Sequence, residues 1–303
     1  MANYAKKFLL QDGCEEPIHQ GTLNLLYDAS VAMKIPDQPS WVPDWSRVPS
    51  QLCLGRMKQG SKNLPYYNTS RMSKKKTHDL GPFSPKVIGG NMLSLRGWVR
   101  DSISNLASGN DWEYIIRTDQ VRTLCGGASP TWYTPRGSVR SRGETWDEVT
   151  WKTIVGNRKG ALSSGSAPPS QWGQAYSKIA DILKRLHNSL PDSPEWNEAK
   201  REREEFITSE FAIAAEQMVT GRKLCVTHKD HVGLVPNDAQ VGDEVCIIPG
   251  GAVPFIMRSL GGDEKVLIGE GYIHGVMNGE YWTMTIDDRN GRFNTEIRRI
   301  VLK

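Results

Sequence analysis

Three side chains near the end of the chain could do acid–base chemistry together. Glu270, Tyr272 and His274 alternate with Gly271 and Ile273, so they share one face if 266–274 is a regular strand. A carboxylate, a phenol and an imidazole at that spacing can take up, hold and pass on a proton. Glu280, a little further along, is the fourth member of this candidate polar network. Catalysis also needs a nucleophile or activated water and a group that stabilises developing charge. No phosphate-binding glycine loop and no nucleophile elbow occurs, so the network reads as structural and the chain as a non-enzyme without a cofactor. Cys225, His228 and His231 form a C-x2-H-x2-H run that invites a zinc reading. A structural zinc needs four ligands, and no fourth stands nearby at a recognisable spacing. A surface turn is the expected account, and no metal is assigned.

The elements that must position these groups are short and β-rich. Apolar runs at 224–227, 232–235, 245–248, 253–257 and 266–274 are separated by Pro236-Asn237-Asp238, Gly242-Asp243, Pro249-Gly250-Gly251 and Gly261-Gly262. That pattern predicts a small antiparallel barrel or sandwich over 222–302. Gly242-Asp243 marks a tight turn, because glycine tolerates positive φ and aspartate can cap the turn. Asn278-Gly279 signals a hairpin between Val276-Met277 and Tyr281-Trp282. Far upstream, Leu93, Leu95, Gly97 and Val99 alternate with polar or bulky neighbours, which predicts a strand that joins this module as an edge. Residues 100–106 are expected to leave it as the start of a short helix.

Helices are expected at 22–33, 111–124, 144–156, 172–188 and 194–220. In 172–188, Trp172, Tyr176, Ile179, Leu183 and Leu186 form a continuous apolar stripe. Ser193-Pro194 supplies the start of the next helix and Gly221 its end. The two form a hairpin beside the β module, so the fold class is α+β. Residues 1–52 read as the helical tail of another unit followed by a Trp/Pro-rich connector. There Pro36, Pro39, Pro43 and Pro49 forbid a helix, and Trp41 and Trp45 are expected to anchor by burial. Residues 53–85 read as a basic, mobile, solvated loop, with cations from Arg56 to Lys76 and no carboxylate before His78. Residues 86–303 read as one accessory α+β domain.

Composition sets the class. The chain has 303 residues, long enough for a substantial core, and ten tryptophans to anchor it. A formal charge of +4 is too modest to mark a nucleic-acid binder by itself. Five scattered cysteines argue for reduced thiols in a cytoplasmic protein. No apolar run is long enough to span a bilayer, so no membrane is expected.

The segments GLVPNDAQVGDEVCIIPGGAVPFIMR and LIGEGYIHGVMNGE resemble the C-terminal region of fungal heterokaryon-incompatibility proteins. In that family a G-L-x-P…G-D-x-V segment, a G-x-x-x-P-F-x-x-R segment and a G-E-x-Y-x-H-G-x-M-x-G-E segment come in this order. Here they fall on Gly233, Pro236, Gly242, Asp243, Pro254, Arg258, Glu270, Tyr272, His274, Gly275, Gly279 and Glu280. PSWVPDWS, with Trp41, Pro43, Asp44 and Trp45, is similar to the segment that follows the family's N-terminal signalling domain. LSLRGWVRDSI and WKTIVGNRKG resemble weaker landmarks between the two. The signalling domain's own landmarks, L-S-Y-x-W-G, W-x-D-x-x-C-I-N-Q and R-x-W-x-x-Q-E, do not occur, so the chain is expected to start just past it. The resemblance implies an accessory or recognition region linked, in full-length relatives, to non-self recognition and programmed cell death. Another protein is then the expected partner. Two other readings stand beside it: a nucleic-acid-binding module resting on the basic loop, and an enzyme using Glu270, Tyr272 and His274.

Overall fold

The computed structural model describes residues 18–32, 36–46, 51–59, 64–70, 85–126, 143–159, 167–280 and 297–303. Its organising element is one long strand, β4 (Met92–Leu106), fifteen residues from end to end. Label the shorter strands β1 (Lys58–Gln59), β2 (Leu64–Pro65), β3 (Lys86–Ile88), β5 (Arg222–Thr227), β6 (Val232–Pro236) and β7 (Glu244–Ile247). The rest are β8 (Phe255–Gly261), β9 (Glu264–Glu270), β10 (Tyr272–Ile273) and β11 (Arg298–Leu302). The first half of β4 pairs with β3 and β11, and its second half with β7 and β5. Register breaks at Val99/Asp101 and Ile103/Asn105 let it bend between these partners. Following the pairings β4–β11–β9–β8–β7 leads back to β4, a ring-like arrangement, while β5, β6 and β10 continue from β4 as a second wing.

The strand expected at 93–99 therefore does join the C-terminal strands, but as their centre instead of an edge. Residues 100–106 stay in the strand and do not start a helix. Asp101 and Ile103 are buried there, and the Ser104 hydroxyl donates to the Val226 carbonyl at 2.9 Å. One pairing in the ring, β11 with β9, is parallel, because the chain crosses over between them; the others are antiparallel.

Several strands read as unbroken apolar runs because both their faces are buried. Cys225, Val245, Ile247, Ile256 and Ile273 gather with Trp98 and Ile103 in one cluster. Leu224, Val226, Cys246, Phe255 and Met257 face the opposite way, into a larger core shared with the helices.

Helix α1 (Ile18–Val31) packs on β9 and buries Leu23, Leu25, Leu26 and Tyr27. Tyr27 stacks on Phe255 with ring centroids 5.4 Å apart, so this helix belongs to the same core as the β module. The first residues of the chain, also expected to have helical character, lie outside the described residues. The helix expected over 111–124 is two, α2 (Trp112–Arg117) and α3 (Gln120–Leu124), broken where Asp119 takes φ +46°. Helix α4 (Trp146–Ile154) opens on a capping box between Thr145 and Glu148. Helix α5 (Trp172–Asn188) buries Trp172, Tyr176, Ile179 and Leu183 along the expected stripe. The single helix expected over 194–220 is also two. Helix α6 (Pro194–Phe206) is capped by Ser193, and α7 (Glu210–Val219) restarts under its own cap, Ser209. Gly221, at φ +76°, ends α7 as expected.

The described part of the expected basic loop is packed instead of solvated. Leu54–Arg56 forms a 3-10 turn, β1 pairs with β2, and Leu54, Met57, Tyr67 and Thr69 are buried. Arg56 is in an ion pair with Asp28 at 2.7 Å. Lys74–Lys76 lie outside the described residues. Of the two connector tryptophans, Trp41 is fully buried and donates to the Asn91 carbonyl at 3.0 Å. Trp45 is 44% exposed and is not the anchor expected of it. Asp44 accepts from the Ser46 amide and hydroxyl, which turns the chain outward at that point, and Pro43 is buried.

Candidate functional site

Glu270, Tyr272 and His274 do not lie along one regular strand. The strand breaks at Gly271, whose amide donates to the Pro254 carbonyl at 3.0 Å, and β10 goes on to pair with β6. The three side chains consequently enter two separate networks.

Glu270 ends β9 with its carboxylate fully buried. It accepts hydrogen bonds from the amides of Leu54 and Gly55, the latter at 2.9 Å, and from Arg222 Nη2 at 3.3 Å. Gly55 is required at this approach, since a Cβ there would lie 2.2 Å from the Tyr27 ring. Arg222, at the start of β5, is equally buried and also donates to the carbonyls of Met218 and Leu52. Burial raises the Glu270 carboxyl pKa, and Arg222 with the two amides opposes that rise. The group ties three distant pieces of chain together: the 3-10 turn, the α7–β5 junction and the end of β9.

The second network runs Tyr272–His274–Glu144–Lys152. Tyr272 Oη lies 3.0 Å from His274 Nδ1, His274 Nε2 lies 2.8 Å from Glu144 Oε2, and Lys152 Nζ donates to Glu144 Oε1 at 2.7 Å. A carboxylate only accepts, so Nε2 carries the proton in neutral His274 and Nδ1 accepts from the phenol. Burial holds the Tyr272 hydroxyl well above its usual pKa, which keeps it a donor. Burial also pushes the Glu144 carboxyl up, but His274 and Lys152 together outweigh this and hold it at about 2. The order hydroxyl, imidazole, carboxylate is that of an activated nucleophile. Tyr272 as a whole is 1% exposed, with its ring beside Tyr67 at a centroid distance of 6.0 Å.

A carboxylate held at about 2 stabilises the fold in full above its unfolded value of 4.5, and that contribution disappears as pH falls through the folded value. Between these limits the thermal midpoint should drop more steeply in the native protein than in Glu144→Gln. Parallel slopes in a pH series of melting curves would contradict the pairing.

The remaining candidates fall in turns and close approaches. Glu280 accepts from the Asn278 amide at 2.7 Å, within its own turn. Val276 and Met277 lie in that turn instead of a strand, Gly275 and Gly279 take positive φ, and residues 281–282 of the expected hairpin lie outside the described residues. Gly233 passes so close to β10 that a Cβ would meet the Tyr272 carbonyl oxygen at 2.5 Å. Pro236, opposite Arg222 in the β5–β6 ladder, closes over Gly269 in the same way. Asp243 accepts from the Gln240 amide at 2.8 Å and takes a two-pronged bond from Arg258, both contacts at 2.9 Å. Gly242 before it has φ +92° and open space around it. Any cost of Gly242→Val is therefore conformational, and the variant should lose about 1–3 kcal/mol of stability by chemical denaturation. An unchanged midpoint would count against the strain.

Cys225 is buried in β5 and His228 is exposed. His231, expected in a surface turn, is buried, with Nδ1 3.3 Å from the His274 carbonyl oxygen. Burial lowers its pKa to about 4, so it is neutral at pH 7. Among the described residues no three His, Cys, Asp or Glu converge as a metal site. Sequence reasoning missed Glu144, Lys152 and Arg222. The last left a signal, a charged residue opening an apolar strand; the other two left none.

These features define a protein with a ring-like sheet backed by helices, in which the most buried charges pair with one another. Residues 189–292, which include α6, α7 and β5 to β10, match the Het-6 beta-barrel domain, a region found in fungal heterokaryon-incompatibility proteins. This part of the chain is similar to that domain. No curated protein and no solved structure matches the chain.

Proposed function

We propose that this chain is a non-catalytic accessory region of a heterokaryon-incompatibility-like protein, recognising another protein in non-self recognition that leads to programmed cell death. The match of residues 189–292 carries this reading. The inward use of the polar groups supports it: Glu270 is engaged by Arg222 and two amides, and His274 is held between Tyr272 and Glu144. Using these groups for architecture leaves recognition to the surface. Expression of the chain in a fungal host tests this directly. Growth should match an empty-vector control, and growth arrest caused by this chain alone would overturn the non-catalytic reading.

A further inference from the structure

We propose that the β6–β7 turn and the neighbouring tip of the β8–β9 hairpin form a docking surface for a basic, aliphatic segment of a partner protein; this rests on the recognition reading above. Val241, in the first turn, is 61% exposed, and Leu260, near the end of β8, is 52% exposed. Both positions follow from the backbone. Ser259 pairs with Lys265 and Gly261 with Glu264, so Leu260 is the extra residue of a bulge and is released from the ladder. Val241 precedes Gly242, whose positive φ turns the chain toward β7. Gly242, Gly261 and Gly262 have open space where a side chain would stand, so the backbone beside each aliphatic group is uncovered as well.

The two tips adjoin and are held still. β7 and β8 pair from Glu244 opposite Met257. Arg258, the next residue of β8, donates to both Asp243 carboxylate oxygens and to the Asp238 carbonyl, each at 2.9 Å. The Gln240 amide donates to Asp243 at 2.8 Å, and the Gly242 amide to the Ile103 carbonyl at 2.9 Å. Val241 therefore sits in a pinned turn against the strand end that carries Leu260. Single exposed aliphatic residues are ordinary, whereas two on adjoining pinned turns make a preorganised apolar contact.

Charge selects the occupant. Asp238, Asp243, Glu244, Asp263 and Glu264 stand on these turns and the strand ends beside them. Arg258 is taken by Asp243, Lys265 by Glu244 and Lys303 by Glu264. Among the described residues no ion pair engages Asp263 or Asp238, the latter adding only a longer-range attraction to Arg258. The surplus is acidic, which opposes an anionic membrane or a nucleic acid. A second copy docking through the same face would set these aspartates against their counterparts. A segment with lysine or arginine beside aliphatic side chains matches both the charge and the apolar tips.

The test uses a fluorescein-labelled lysine–leucine peptide and the full chain, with oligolysine of equal charge and phosphatidylserine vesicles as the other arms. The lysine–leucine peptide should bind more tightly than oligolysine, and its binding should weaken with added salt. Binding should fall by about tenfold or more in the double variant Val241→Ser with Leu260→Ser. Both positions are exposed, so the denaturation midpoint should stay near that of the parent. Leu260→Ser alone should also weaken binding and serves if the double variant misfolds. Leu190→Ser, at an 80% exposed position between α5 and α6, should leave binding unchanged. Absent peptide binding, binding undiminished in the turn variants, an equal loss in Leu190→Ser, or preference for oligolysine or the vesicles would each overturn the assignment. Self-association of the chain that the double variant abolishes would overturn it in favour of a second copy. None of these outcomes bears on the fungal growth test, so the two proposals fail separately.

Discussion

Glu270→Ala should cost about 3–5 kcal/mol of folding stability, because it strands Arg222 as an uncompensated charge in the core. The same change leaves the buried amides of Leu54 and Gly55 without their acceptor. Domains of this kind have about 5–15 kcal/mol in total, so the variant should sit near the edge of folding at 37 °C. Arg222→Met should be comparably damaging, since it leaves the carboxylate alone. The double variant Glu270→Leu with Arg222→Met should lose clearly less than the two singles added together, because neither charge is then left buried. Guanidinium unfolding of the four proteins measures this. Additive losses would show that the two groups do not depend on each other.

Trp41→Ala should cost about 3–5 kcal/mol, whereas Trp45→Ala should stay within about 0.5 kcal/mol of the parent. The two tryptophans share one short motif and nearly the same neighbours in sequence. Trp41 is fully buried and its indole N–H reaches the Asn91 carbonyl at the β3–β4 turn. Trp45 lies past the point where Asp44 turns the chain outward. Equal effects in chemical denaturation would mean that the connector does not dock through Trp41.

What the sequence made legible follows from how local each signal is. The α5 stripe, the Ser193 cap and the Gly242-Asp243 turn depend on residues within a few positions of one another, and all three are found in place. The strand at 93–99 was readable from its alternation, but its continuation to Leu106 was not. Bulges at Arg100 and Ser104 interrupt the period-two pattern that would have announced it. Breaks at Asp119 and at 207–209 were missed because apolar spacing continues across them while the backbone does not. The candidate site was half legible. Glu270, Tyr272 and His274 stand out by type and spacing, yet their partners Arg222 and Glu144 lie 48 and 130 residues away. Only tertiary structure assigns a carboxylate to its cation over such separations.

The most direct test of the non-catalytic reading is turnover by the purified chain. Incubated with NAD, it should consume none, since Glu270 and His274 are committed to Arg222 and Glu144 inside the fold. NAD consumption that disappears in Glu270→Gln or His274→Ala would contradict both that reading and the architectural role given to these networks.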